Sequence, residues 1–352
     1  MLKCLAMRQL GQPLLRIGLT AAMLAAASAQ ARSQDAGLIE AAKKEGSVTW
    51  YTTQIINQFA RPAAQAFQKK YGIKVDYLRS DSNEVALRLI NEGKAGKVQA
   101  DVFDGTSAVA VLKKEGLVLQ WVPEGAKRLP GKASDKDRYW VATNLYAYSP
   151  GYNTDLLPKS TAPKTLEDLL DPKLKGKMVW NEQGAPSAAG GFIGLVLTVM
   201  GEDKGKNYLR KLAEQKITGL HVAARQVMDQ VVAGEYALAL NMVNNHPYIS
   251  KQQGAPVDWI AMNPTLSVFS AASVTKSAPH PNAARLLLEF LVSREGQQIY
   301  RDADYLPIDP EIAIWEPSLR PNDTSYKAVT FTPEEINMNM PGWMAIHKEI
   351  FR

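Results

Sequence analysis

The sequence predicts an α/β protein built as two lobes, each with a mostly parallel sheet flanked by helices. Strands and helices alternate from residue 47 onward, which is typical of parallel sheets with helices on both faces. The chain has 352 residues, more than the roughly 250 to 300 at which a single core stops growing. Apolar strands predicted at 141–148 and 266–275 are long enough to cross from one sheet to the other.

Residues 1–31 have the pattern of a removable export signal. Lys3, Arg8 and Arg16 precede an apolar run at 17–29, and small residues suited to cleavage follow it. A membrane anchor is the alternative, but the run is shorter than the roughly 20 residues that span a bilayer. The single cysteine, Cys4, lies inside this segment, so we expect a periplasmic protein without disulfides or thiolate chemistry.

The charge pattern argues against a nucleic-acid partner. The chain carries 41 Lys and Arg against 35 Asp and Glu, and the predicted signal accounts for three of the positive residues. The remaining 38 are interleaved with acidic residues and do not form one basic stripe. We therefore expect a soluble protein, and a monomer is the default expectation.

In the first lobe, three strand-and-helix units follow one another. β-branched and aromatic residues mark the strands, and apolar residues at helical spacing mark the helices. The strands are predicted at 48–53, 73–78 and 100–104, and the helices that follow them end near Tyr71, Gly93 and Gly116.

The middle of the chain predicts the second lobe. After the strand at 141–148, the sequence Pro-Gly-Tyr-Asn at 150–153 predicts a turn. Further strands are predicted at 177–180, 236–243, 257–261 and 266–275, and further helices are predicted through Met200 and at 208–214, 226–233, 281–291 and 294–300. The tail from Pro307 is expected to pack against a lobe. The first lobe is thus predicted as 32–143 with 276–310, and the second as 144–275 with 311–352.

Signatures of enzymes are absent from the sequence. There is no Gly-x-Ser-x-Gly elbow, no His-Glu-x-x-His, no phosphate-binding loop and no dinucleotide fingerprint. The four histidines are dispersed along the chain. We expect no catalytic residue, no metal and no cofactor; an exported, metal-independent enzyme that uses Asp104 and a histidine is the rival hypothesis.

Uncharged hydrogen-bonding groups instead follow the predicted strands and begin the predicted helices. Helix starts offer unpaired N–H groups that suit an anion, and ligands of parallel sheets bind at the carboxyl ends of strands. Two arginines that follow strands are candidates to pair with the anion. The predicted ligand-binding residues are Thr53, Arg79, Ser82, Thr106, Ser187, Arg225 and Asn245.

Two stretches carry a resemblance to a known family: Leu-Asp-Pro-Lys-Leu-Lys-Gly-Lys at 170–177 and Pro-Asn-Ala-Ala at 281–284. Together with 41–51, 67–75 and 100–103, they make the chain similar to bacterial extracellular solute-binding proteins of ABC importers, in the group of ferric-iron-binding and related proteins. The resemblance implies a type II periplasmic-binding-protein fold, with lobes joined by crossing strands that close on a small-molecule solute by hinge motion. It also implies an inner-membrane ABC permease as partner.

The resemblance also bears on the ligand. Ferric members of the group bind iron with an adjacent tyrosine pair, a histidine and a glutamate. In this chain the tyrosine pair falls on His246 and Pro247, the histidine position near Ile55 and the glutamate position near Thr106. Ferric iron prefers anionic oxygen ligands, so we expect a small polar, anionic solute such as a carboxylate, phosphonate or sugar phosphate. Ferric iron or a ferric chelate is the alternative.

Overall fold

The computed structural model of the chain describes residues 36–182, 188–321 and 326–351. The predicted signal at 1–31 and Ser187 lie outside these residues. The strands are β1 (Ser47–Thr52), β2 (Lys74–Arg79), β3 (Val102–Gly105), β4 (Val141–Asn153), β5 (Met178–Asn181), β6 (Thr218–Leu220), β7 (Leu238–Val243), β8 (Val257–Trp259), β9 (Thr265–Val274), β10 (Leu306–Pro307) and β11 (Ala328–Phe331).

The longer helices surround these strands. They are α1 (36–45), α2 (Arg61–Tyr71), α3 (Ser82–Lys94), α4 (Ala108–Lys114), α5 (Ala189–Met200), α6 (Glu202–Ala213), α7 (Ala224–Val232), α8 (Asn245–Gln252), α9 (Pro281–Val292), α10 (Arg294–Asp302) and α11 (Pro333–Ile350). Among the helices of the described residues, none has both the length and the apolar composition needed to cross a membrane.

The strands form a curled, mixed sheet in the order β2-β1-β3-β9-β4-β7-β5-β6. At one end β1 runs parallel to β2 and β3, and at the other β5 runs parallel to β6 and β7. Between them β9 is antiparallel to both β3 and β4. The predicted α/β class is confirmed, with parallel strand pairs at the two ends of a mixed sheet.

Two strands connect the lobes, as the sequence predicts. β9 pairs Ser273 with Phe103 of β3 near one end and Leu266 with Tyr148 of β4 near the other. Separate apolar cores lie on the two sides of this crossing: one gathers around α2 and α9, the other around α5 and α11. The two-lobe architecture is therefore present, while the exact lobe boundaries stay a prediction.

The turn predicted at 150–153 is wrong, because β4 continues to Asn153. The pairing of β4 with β7 shifts register between Ser149 and Gly151. Pro150 has no N–H to donate, but its carbonyl oxygen accepts from Ile260 N at 2.9 Å. A strand irregularity is where a sheet tolerates proline, so the strand bends there and does not end.

The tail from Pro307, predicted only to pack against a lobe, also forms a regular strand and a long helix. β11 pairs in parallel with β9, and α11 begins with a capping box in which Thr332 Oγ1 accepts from Glu335 N at 3.2 Å and Glu335 Oε2 accepts from Thr332 N at 2.7 Å. Trp343 and Ile336 of α11 lie in the core that contains α5. The tail therefore completes the second core.

Replacing Gly194 by valine should lower the free energy of unfolding. A β-carbon at Gly194 of α5 would lie 2.6 Å from Trp343 Cζ2, and overpacking of this kind costs roughly 1–3 kcal/mol. Gly37→Ala is the control: nothing lies within 4 Å of its β-carbon position, and alanine favours a helix by up to about 1 kcal/mol. Urea unfolding measures both, and a Gly194→Val protein as stable as wild type would contradict this close packing of α5 on α11.

Candidate functional site

A cavity of about 270 Å³ lies between the two lobes, at the carboxyl ends of their strands. Five of the seven residues predicted to bind ligand line it: Thr53, Arg79, Ser82, Thr106 and Arg225. A larger hollow of about 790 Å³ is lined by residues 156–177 and Ala237, all from the second lobe. The smaller cavity is the candidate site, because both lobes contribute strand ends and helix starts to it.

In the first-lobe wall, β1 and β3 end side by side. Thr53 follows β1, and both its backbone N–H, at 3.0 Å, and its hydroxyl, at 2.9 Å, donate to Asp104 Oδ1 of β3. Asp104 is fully buried, and this burial raises the pKa of its carboxyl group, against the hydrogen bonds from threonine that lower it. The hydroxyl of Thr53 is thus held at the cavity by a buried side chain.

The start of α3 forms the next part of this wall. Ser82 Oγ accepts from Thr106 N at 3.1 Å, which ties the start of α3 to the loop after β3. Arg79, at the end of β2, is exposed, and among the residues that the structure describes none forms a hydrogen bond or ion pair with its guanidinium group. The wall therefore presents a cation beside a helix start, an arrangement that attracts anions.

Three tyrosines close the back of the cavity. Tyr146 and Tyr148 come from β4, and Tyr305 precedes β10. The ring centroid of Tyr146 lies 6.4 Å from that of Tyr148 and 6.0 Å from that of Tyr305. Burial raises the pKa of Tyr305 to about 12 and the pKa of Tyr146 and Tyr148 further above the ordinary value. All three are neutral phenols at neutral pH.

The second-lobe wall contains the start of α7. The residue that precedes this helix is Ala223, whose methyl group cannot accept a hydrogen bond, so no side chain of its own caps the first N–H groups. Arg225 lies in this first turn, where Asp229 accepts from its Nε at 3.0 Å and the carbonyl oxygen of His246 lies 3.4 Å from its Nη1. A guanidinium and open backbone donors therefore face the cavity together.

Beside it, His246 of α8 also lines the cavity. Burial, reinforced by the nearby charge of Arg225, lowers the pKa of His246 from 6.5 to about 4. The ring is therefore neutral at neutral pH. Within the described part of the chain, no group of three or more His, Cys, Asp or Glu side chains is placed to hold a metal ion.

Asn245, one of the predicted ligand-binding residues, does not line the cavity. Asn245 is buried, and its Nδ2 donates to the carbonyl oxygen of Asp304 at 3.2 Å. The first turn of α8 directs the Asn245 side chain away from the cavity and brings the neighbouring His246 to the cavity instead. Ser187 lies outside the described residues, but Ala188 after it is fully buried, with its carbonyl oxygen accepting from Asn241 Nδ2 at 3.0 Å. That the five lining residues contact a ligand stays a prediction.

Sequence reasoning missed some of the lining. Tyr146, Tyr148 and Tyr305 are not among the predicted ligand-binding residues, although Tyr146 and Tyr148 are two residues apart on one strand and must share a face. It also named the start of α5 in the second lobe, where α7 provides the open helix start. Both helices are preceded by an alanine, Ala188 for α5 and Ala223 for α7, so the residue before the helix does not distinguish them.

Stability should fall on acidification because of His246. The pKa of His246 is 6.5 in the unfolded chain and about 4 in the folded protein, so the unfolded chain binds more protons between these two pH values. The contribution of His246 to the free energy of unfolding is therefore fully present above pH 6.5 and is lost as the pH falls towards 4. The His246→Gln variant should lose less stability than wild type between about pH 7.5 and pH 5. Urea unfolding at both pH values checks this, and equal losses would contradict it.

Comparison with known proteins identifies the family. The family model described as bacterial extracellular solute-binding protein matches residues 62–320. A putative 2-aminoethylphosphonate-binding periplasmic protein of Salmonella paratyphi A is 25% identical over 315 residues, covering 85% of this chain and 84% of the relative. The major ferric iron-binding protein of Neisseria meningitidis is 26% identical over 298 residues, covering 79% of this chain and 85% of the relative.

A solved structure agrees with the fold. The periplasmic binding protein AfuA from Actinobacillus pleuropneumoniae, with exogenous fructose-6-phosphate bound, aligns with a TM-score of 0.72 and 21% identity over 87% of this chain and 98% of the other. The match of the family model covers well over half of the sequence, and the two lobes around a cleft are those that the resemblance implies. This chain belongs to the family of bacterial extracellular solute-binding proteins.

Proposed function

We propose that the protein is the periplasmic substrate-binding component of an ABC importer and that it captures a small organic anion between its lobes. The observation that carries the proposal is the placement of donors on both sides of one cavity. Arg79 and the start of α3 lie on the first lobe, and Arg225 and the start of α7 lie on the second. A monomer that delivers its solute to an inner-membrane permease fits this arrangement.

The names of the relatives agree with an anion that contains phosphorus. One relative is named for 2-aminoethylphosphonate, and one structural neighbour holds fructose-6-phosphate. A phosphonate or phosphate oxygen accepts both guanidinium and backbone N–H donors. We therefore place phosphonates and sugar phosphates ahead of carboxylates among the candidate solutes.

Capture requires no bond to be made or broken. Donors on opposite lobes contact one anion together only when the lobes approach, so the anion favours the closed arrangement by contacts that the open one lacks. The enzyme hypothesis gains nothing from the site, because Asp104 is buried and bonded to Thr53, and no histidine of the described residues hydrogen-bonds to it.

Ferric iron is a weaker candidate at this site. Tight ferric binding needs anionic oxygen ligands. In the resemblance, His246 and Pro247 stand where the tyrosine pair is expected. A visible charge-transfer band on addition of ferric citrate, together with no effect of organic anions, would instead support iron.

A thermal-shift screen followed by calorimetry tests the proposal. A phosphonate or phosphate at about a hundred times its Kd should stabilise the protein by about 2.7 kcal/mol. Arg225→Ala should then weaken binding by about 2 kcal/mol, roughly thirtyfold in Kd, because a charge-assisted hydrogen bond is lost. Arg210→Ala is the control, since Arg210 lies on α6, outside the cavity lining, with 54% of its side chain exposed.

Two results would contradict the proposal. One is a screen in which no organic anion stabilises the protein. The other is an Arg225→Ala variant that binds the anion as tightly as wild type and as tightly as Arg210→Ala.

A further inference from the structure

Three of the hydroxyl groups on the cavity wall, those of Thr53, Tyr146 and Ser82, have hydrogen-bond roles that their partners in the protein already fix. Thr53 Oγ1 donates to Asp104 Oδ1 at 2.9 Å, and the same carboxyl oxygen also accepts from Thr53 N at 3.0 Å. A hydroxyl has one proton and two lone pairs. With its proton committed to Asp104, Thr53 can only accept a hydrogen bond from a ligand.

The hydroxyl proton of Tyr146 is likewise committed to a buried partner on the side away from the cavity. Its hydroxyl donates to Gln54 Oε1 at 3.3 Å. The orientation of the Gln54 amide is fixed in turn, because its Nε2 donates to Asn144 Oδ1 at 3.1 Å and to Ser270 Oγ at 3.0 Å, and the whole side chain is buried. Tyr146 therefore also offers lone pairs, and no proton, to a ligand.

Ser82 has the opposite role. Its Oγ accepts from Thr106 N at 3.1 Å, so its own proton is free to be donated into the cavity. Arg79 and Arg225 donate as well, and arginine has no acceptor. The cavity thus has two kinds of wall: a donor side around Ser82 and the arginines, and an acceptor side at Thr53 and Tyr146.

The acceptor side also suits a positive charge. The carboxylate of Asp81, the residue that precedes Ser82 and α3, adds a negative charge to the cavity from the donor side and caps no N–H group of its helix. The rings of Tyr146 and Tyr305, with centroids 6.0 Å apart, offer electron-rich faces that attract cations. A group that carries N–H donors and a positive charge satisfies all of these partners at once.

We infer that Thr53 and Tyr146 form an acceptor half-site for a cationic amine, with Asp104 and Gln54 as positioning residues behind them. The inference rests on the proposed function, since the donor side takes the anion of the same solute. The solute is then a small zwitterion, with an amine at one end and a phosphonate or similar anion at the other. A sugar phosphate can donate hydroxyl protons to the same acceptors but brings no positive charge, and a simple alkyl anion satisfies only the anionic end.

A matched pair of ligands tests this half-site by calorimetry. In propylphosphonate a methyl group replaces the ammonium group of 2-aminoethylphosphonate, at nearly the same size. Wild type should bind 2-aminoethylphosphonate at least about tenfold more tightly than propylphosphonate, because only the former can form a charge-assisted hydrogen bond with the acceptors. Thr53→Val should reduce this ratio at least about fivefold, because it removes the acceptor that only the amine uses.

Two further variants separate positioning from folding. Thr53→Ser keeps the hydroxyl and should restore the wild-type ratio. Asp104→Asn should also lower the ratio, because the amide presents an N–H donor that competes with the Thr53 proton; if circular dichroism shows that this variant does not fold, Thr53→Val alone decides.

The outcomes distinguish this inference from the proposed function. Equal wild-type affinities for the two phosphonates, an unchanged ratio in Thr53→Val, or a sugar phosphate preferred over both would overturn the half-site and leave anion capture intact. Failure of every organic anion to bind would overturn the proposed function itself.

Discussion

The two strands that connect the lobes, β4 and β9, run through the interior, so their backbone groups must find hydrogen-bond partners within the protein. This requirement holds the two lobes together. All ten residues of β9 are buried, and an unpaired buried backbone group costs about as much as a lost hydrogen bond. β9 meets the requirement by pairing with β3 at one end and along β4 over the rest. Any opening of the cleft must therefore bend these strands as a pair and cannot separate them.

The same pair of strands builds the back of the site. Asn144 of β4 and Ser270 of β9 face each other in the ladder, and both accept from the buried Gln54 amide. Gln54 in turn accepts from Tyr146, two residues further along β4. The hinge and the cavity wall are consequently one network, so a change in the hinge strands alters the position of the tyrosine hydroxyl.

The sequence predicted the part of the site that is local in the chain. Thr53, Arg79, Ser82 and Thr106 each follow a strand or begin a helix, and a strand-turn-helix unit can be recognised within about ten residues. β9 was also predicted as a crossing strand, because the strand predicted at 266–275 is long enough to pass from one sheet to the other. Arg225 was found by the same reasoning at the junction of β6 and α7.

The rest depends on contacts between distant residues or on one-residue offsets. Tyr305 reaches the cavity only because β10 pairs with β4, and no local pattern encodes that pairing. Asn245 and His246 are adjacent, so the place where β7 gives way to α8 decides which one faces the ligand. Local rules also disfavour proline inside strands and helices, yet tertiary packing accommodates Pro150 in β4 and Pro341 in α11.

The distribution of donors and acceptors has a consequence for closure. Thr53 lies on the first lobe, and Tyr146 on a crossing strand donates to Gln54, the neighbour of Thr53 in the chain, so the two acceptors stay together as long as this hydrogen bond holds. The donors are divided, with Arg79 and Ser82 on the first lobe and Arg225 on the second. If the solute is a zwitterion, its amine can be held in the open form, but its anion gains the second lobe's donors only on closing. Since a ligand shifts an equilibrium only by its differential affinity for the two states, the anionic end supplies the free energy that closes the cleft.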